Sequence, residues 1–261
     1  MSALQKRNFN IKDLILVITM IILSVDVGIK NLAICIVKFD CSGHEIIEWV
    51  VINSIDDLLK NQLKCCVTRR GKLCDKVAAN KVTLPENNIL GFCNLKTCQS
   101  ELTSNYSKKQ IRKYKKIHAN RVDLSLLGKN IYKGLSKLKH LDNLDYVLIE
   151  NQPVLKNPRM KSVQMIIFSY FLFMTEEKNA KHKVILFNPS TKLKIYDGPE
   201  IKSNKKNKYA ERKYLSIEYT KYFLEKSKKN KGWSDFFNTH KKQDDLADAY
   251  LQALTYHSKL G

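Results

Sequence analysis

The chain has 261 residues and is 44% hydrophobic, enough to bury a sizeable core, which excludes a disordered or fibrous class. Lys+Arg total 46 against Asp+Glu 25, a formal charge of +21 that favours a polyanionic partner; lysine as plain surface filler is the alternative. Seven cysteines, an odd number in a chain too large to need staples, argue against a secreted disulfide framework and for a reducing compartment.

At the start, Lys6 and Arg7 ahead of the apolar run Leu14–Leu23 imitate a signal peptide. The run is too short for a bilayer span, which takes about 20 apolar residues, and no small-residue cleavage site follows. Residues 1–19 are therefore read as an N-terminal extension, and no membrane partner is expected. The β-rich runs Ile21–Val27, Leu32–Phe39 and Ile46–Ile52 follow with short turns between them, which predicts an antiparallel meander. Periodicity breaks from about Leu63 to Ser104, a stretch that holds five of the cysteines and reads as an insertion over 63–104. Helical spacing returns over Ser107–Leu141, then a strand at Tyr146–Glu150, a strongly apolar helix at Arg159–Thr175 and a strand at Val184–Phe187. Lys192–Lys208 reads as a mobile, lysine-rich loop, and helices close the chain at Tyr209–Lys226 and about Lys242–His257. The later strands, joined through helices, are expected to be parallel, an α/β plan.

Three placements of acid stand out. Asp26 interrupts an otherwise buried strand in "ILSVDVGIKN", and an unpaired buried carboxylate costs several kcal/mol. Glu150 ends "YVLIE", at the carboxyl end of a strand, where open α/β sheets place their sites. In "DDLAD", Asp245 and Asp248 stand three apart on one helical face, with Asp244 beside them. Each has an ordinary reading, as turn acid, strand-end surface acid or helix N-terminal charge. Together they make an oxygen-rich set without histidine, which selects Mg²⁺ or Mn²⁺ and suits two-cation phosphodiester hydrolysis.

The motifs "SVDVGIKNLA", "VLIENQP" and "KKQDDLADAYLQAL", in this order, resemble the Holliday junction resolvases of poxviruses and other large DNA viruses. That group is related to bacterial RuvC and mitochondrial resolvases within the retroviral integrase/RNase H superfamily. The resemblance covers about residues 20–60 and 107–257. It implies an RNase H-like mixed five-stranded sheet, with antiparallel strands 1–3 and helix-linked strands 4 and 5, flanked by helices, over a domain 20–261. It further implies that Asp26, Glu150, Asp245 and Asp248 bind Mg²⁺, with Mn²⁺ able to substitute, and that four-way DNA junctions are cut by paired symmetric nicks. The family's catalytic lysine falls to Lys213, in "YAERKYLSI", or to Lys192, in "NPSTKLK"; Lys213 is preferred as catalytic and Lys192 is assigned to nucleic-acid binding. Asn31 and Gln152 are expected beside the motif acids. A homodimer is implied, with the apolar Met165–Met174 segment as candidate contact against a role as plain core. The expected location is the cytoplasm or a viral replication site. An RNA–DNA hybrid nuclease and a non-catalytic junction-binding protein are the alternatives; a sugar-kinase-like ATPase is disfavoured by nine glycines and no second phosphate loop.

Within 63–104, Cys66, Cys74, Cys93 and Cys98 give C-x7-C-x18-C-x4-C, with Cys65 as the alternative first ligand. Four thiolates suit a structural Zn²⁺ site, although the spacing lacks tight C-x2-C pairs and reduced buried thiols are the competing reading. A zinc knuckle would present Arg69, Arg70 and Lys72 to phosphate.

Overall fold

The protein is described from a computed structural model over residues 19–177 and 180–260, so all of the expected extension but Thr19 lies outside the described residues. Along the chain the elements are β1 (Met20–Asp26), β2 (Asn31–Asp40), β3 (Gly43–Asn53), α1 (Asp56–Lys60), β4 (Thr68–Arg69), β5 (Lys72–Leu73), β6 (Asn80–Thr83) and β7 (Ile89–Phe92). Then come α2 (Lys96–Asn105), β8 (Arg112–Lys113), α3 (Leu124–Leu135), β9 (Tyr146–Glu150), α4 (Pro158–Glu177), β10 (Lys183–Phe187), α5 (Lys208–Lys226), α6 (Trp233–Thr239) and α7 (Gln243–His257). They form two compact units: one takes the described residues up to Asn53 and from Ile131 onward, and the other is Ser54–Asn130.

The first unit is built on one sheet of order β10-β9-β1-β2-β3. β2 runs antiparallel to β1 and β3, whereas β9 is parallel to both β1 and β10, which is the RNase H-like arrangement. The reason is local. The first three strands are joined by turns too short for a crossover, while β9 and β10 are separated by α4, long enough to return the chain to the same end of the sheet. Gly28 makes the first turn possible, since a Cβ there would collide with the Asn31 carbonyl oxygen. β1 is fully buried over Ile22–Val25, as a central strand must be.

α7 is the helix about which this unit packs. Its residues Leu246, Ala247 and Ala249 to Thr255 are all buried, and alanines at 247, 249 and 253 let it lie close to the sheet. The Gln252 amide donates to the carbonyls of Val25 and Leu148 at 3.4 and 3.3 Å, so a polar side chain is satisfied deep in the core. Trp49 on β3 stacks on Phe237 of α6 at 5.2 Å and donates its indole N–H to the Leu246 carbonyl at 3.1 Å. α6 itself was not expected from the sequence. α4 buries Val163, Ile167, Phe171 and Met174 but leaves Phe173 61% and Leu172 47% exposed, so the Met165–Met174 segment is core on one side only.

The helix expected over Ser107–Leu141 shrinks to α3, Leu124–Leu135. Ile111 instead packs against a cysteine-lined core, Arg112–Lys113 pairs with β6, and the Tyr114 hydroxyl accepts from the Leu63 N–H. Apolar residues at helical spacing served two different purposes, which periodicity cannot distinguish. Among the described residues no helix is long and apolar enough to cross a membrane.

Candidate active site and cysteine cluster

Parallel pairing fixes two of the acids. The register Val25↔Ile149 is followed on each strand by a carboxylate, Asp26 and Glu150, which lie side by side at the carboxyl ends of β1 and β9. Burial pushes the Asp26 carboxyl well up, and a hydrogen bond with Glu150 and the charges of Glu150 and Asp248 push the same way, with Lys192 opposing. Asp26 therefore holds a proton more readily than an isolated carboxylate does.

α7 brings Asp248 to the same place. Its carboxylate receives the Lys192 ammonium at 2.6 Å and has the Ser216 hydroxyl of α5 in hydrogen-bond reach. Burial raises Asp248, the Lys192 charge and hydrogen bond lower it, and the charge of Glu150 adds to the upward shift, for a net increase. Lys192 loses solvent on burial, which works against its charge, but Asp248, Asp26 and Glu150 outweigh that and hold it protonated.

The expected mobile loop is thus corrected at its start. β10 ends at Phe187, the Asn188 side chain accepts from the Ser190 N–H at 3.0 Å, and a 3-10 turn over Pro189–Ile195 carries Lys192 inward to 8% exposure. Its carbonyl accepts from the Thr255 hydroxyl at 3.0 Å. Lys192 is thus a buried partner of the acid cluster rather than an exposed cation of a loop.

Lys213 lies one step further out. It forms a short ion pair with Asp244 and stays charged for that reason, though burial alone would lower it. Burial likewise raises Asp244, but the hydrogen bond and charge of Lys213 reverse this to a net decrease. Asp245 pairs with Lys242 at 3.0 Å, and burial leaves it raised. Asp26, Glu150, Asp248 and Lys192 are therefore brought together, while Asp245 and Lys213 engage partners one turn toward the start of α7. The Gln152 N–H donates to the Gln164 side-chain oxygen at 2.7 Å, and Lys161 donates to the Asn151 side chain at 3.0 Å, so the chain leaving Glu150 is fastened to α4. Asn31 opens β2 opposite Asn53. Ser216 and Gln252 carried no signal in the sequence, being single polar residues on helices.

Three carboxylates against one ammonium at a strand end form a donor set short of positive charge. A hard divalent cation fits it.

The second cluster joins Cys65, Cys74, Cys93 and Cys98, whose sulfurs lie within 4.8 Å of one another. Cys74 and Cys93 are 3.7 Å apart and Cys98 and Cys74 3.9 Å. Cys66, placed first in the expected ligand set, is exposed, and Cys65 takes its position. Neighbours in extended chain point to opposite sides, so only one of the pair can face the core. Burial, with the crowding of the other three thiols, pushes Cys98 up to about 12. Arg69, Arg70 and Lys72 are all exposed on the β4–β5 hairpin.

Residues 91–259 match the family described as Poxvirus A22 protein. A protein of Acanthamoeba polyphaga mimivirus is 29% identical over 314 aligned positions, covering 90% of this chain and 74% of the relative. Among solved structures, the fowlpox virus resolvase in complex with substrate Holliday junction DNA is 19% identical with a TM-score of 0.43, covering 92% of this chain and 99% of that one. The yeast mitochondrial Holliday junction resolvase is 14% identical with a TM-score of 0.47, over 94% of this chain and 82% of that one. RuvC of Thermus thermophilus is 12% identical with a TM-score of 0.44, over 93% and 97%.

Proposed function

The chain belongs to the poxvirus A22 protein family, and from that membership we infer that it is an endonuclease that resolves four-way DNA junctions. The observation that carries the chemistry is the convergence of Asp26, Glu150 and Asp248 with Lys192 at the carboxyl ends of parallel strands. Asp26, Glu150 and Asp248, with Asp245 on the same helix face, would hold Mg²⁺, with Mn²⁺ able to substitute. Bound there, the cation supplies an activated water and stabilises the leaving oxygen.

The chain's own residues do the rest. The two strand ends hold their carboxylates at fixed separation, so the site is preorganised. Lys192, kept protonated by three acids, presents a fixed positive charge to the scissile phosphate, and Ser216 orients Asp248. Lys213, which the sequence alone favoured, steadies the start of α7 through Asp244. The enzyme works as a homodimer, so that two such sites make paired nicks, and the half-exposed side of α4 supplies the contact. A structural Zn²⁺ on the cysteine cluster completes the metal inventory. Free thiols at all seven cysteines suit a reducing compartment, the cytoplasm or a viral replication site.

The deciding experiment incubates the protein with a labelled mobile four-way junction in Mg²⁺ or Mn²⁺, beside Asp26→Asn. Wild type is expected to give symmetric nicked duplexes and the variant none, with binding preserved. Degradation of RNA–DNA hybrids with junctions left uncut would overturn the assignment.

A further inference from the structure

We propose that Cys65, Cys74, Cys93 and Cys98 hold one zinc ion that fixes the β4–β5 hairpin as a clasp for DNA phosphates, a nucleic-acid site of its own. The clasp half of this rests on the reading that the substrate is DNA.

The metal half rests on geometry. A tetrahedral ion with zinc–sulfur bonds of about 2.3 Å sets its sulfurs about 3.8 Å apart; here Cys74–Cys93 and Cys74–Cys98 are at 3.7 and 3.9 Å, and all four sulfurs lie within 4.8 Å of one another. Those distances are far beyond a disulfide bond of about 2.05 Å. All-sulfur donors select a soft cation, and zinc is the one that needs no redox partner. The cluster these cysteines join is small: Val67, Val82, Phe92 and Leu102 are its other buried members. A unit so small gains from a staple.

The ligands also sit where a metal would control the hairpin. Cys65 precedes one leg and Cys74 follows the other, and their N–H groups bond to the carbonyls of Lys76 and Val67 at 2.7 and 2.9 Å. The Cys66 N–H reaches the Gly91 carbonyl at 2.9 Å, an approach that requires glycine, because a Cβ at 91 would strike the Lys64 carbonyl oxygen. Each leg is only two residues long, too short to persist unaided.

The tip shows what is being held. Arg70 and Gly71 both have positive φ, 47° and 74°, the pattern of a type I′ turn, where Asn-Gly or Asp-Gly is the low-energy choice. An arginine accepts strain in that position, and strain kept at an exposed tip points to use. Arg69, Arg70, Lys72 and Lys76 border a cleft of about 860 Å³ whose lining includes Leu73 and Thr97 and carries no acid. The unit as a whole has sixteen Lys and Arg against six Asp and Glu. Guanidinium forks on a rigid turn match phosphate oxygens in pairs.

The test measures metal and affinity separately. Purified protein is assayed for zinc, and binding to a fluorescent four-way junction is followed against salt without Mg²⁺ or Mn²⁺, for wild type, zinc-stripped wild type and Arg69→Ala/Arg70→Ala/Lys72→Ala. Expected are one zinc per chain, and for the triple variant zinc and melting unchanged, affinity weaker by about tenfold or more and a salt slope smaller by about 2 to 3. Zinc-stripped protein should lose affinity similarly and recover it on zinc addition. Metal-free wild type, or a triple variant with unchanged affinity and slope, overturns the proposal; displacement by polyglutamate as effective as by DNA overturns the choice of ligand. If wild type cuts no junction yet binding still depends on the three cations, the catalytic reading fails and the clasp stands. If junctions are cut while the triple variant binds as before, only the clasp fails.

Discussion

A carboxylate at the end of a buried strand persists only while something neutralises it, and Asp26 has three partial remedies: its own proton, which burial favours, the Lys192 ammonium, and a cation when one binds. Asp26→Asn keeps the shape and removes the charge. Single-turnover assays should show cleavage falling by about 10³-fold or more while junction affinity holds, and metal-free protein should gain about 1–2 kcal/mol in denaturant unfolding, since the site is built at a cost in stability. The two lysines separate in the same way. Lys192→Ala leaves Asp248 beside Glu150 without its counter-charge, so cleavage at saturating Mg²⁺ should drop by about 10²-fold. Lys213→Ala removes a pair on Asp244 whose lysine side chain is 37% exposed, and should cost less than about tenfold. The reverse order of losses would return the catalytic role to Lys213.

α7 carries Asp248 and is located by contacts from β3. Trp49→Ala deletes a stacked indole and the hydrogen bond that fixes the Leu246 carbonyl, so unfolding free energy should fall by about 3–5 kcal/mol and cleavage with it. His44, also on β3, meets the Tyr250 hydroxyl of α7 at 2.6 Å. Burial, aided by His257 and Lys229, lowers its pKa to about 4. Between that value and the ordinary histidine range of about 6.5 the unfolded chain binds a proton that the folded one refuses. Stability attached to this contact is therefore complete above about pH 6.5 and is lost as the pH falls toward 4, by on the order of 2–3 kcal/mol. Urea titrations at pH 7 and pH 4.5 should show the loss in wild type and little of it in His44→Gln.

For the whole molecule, a charge of +21 makes DNA binding steep in salt, and paired nicking requires two copies. Phe173, 61% exposed on α4, is the residue through which to test the second point. Phe173→Glu puts a charge in the proposed contact and leaves the buried side of the helix alone. Sedimentation should show monomers, and a cruciform plasmid should be nicked on one strand rather than linearised. A dimer that survives this change would move the contact elsewhere.

The sequence by itself determined that the first three strands pair in order, since short turns permit only antiparallel neighbours, and it marked Asp26 and Glu150 as acids that end apolar runs. It also marked the cysteines as a group. Only the tertiary structure decided which lysine and which cysteine belong. Lys192 looked like loop because a 3-10 turn has no hydrophobic period, and its pairing with Asp248 joins residues far apart in the chain. Cys65 and Cys66 are adjacent and chemically identical, so the choice between them depends on which side of an extended strand faces the core, and that is fixed by the pairing with Gly91 and by nothing local.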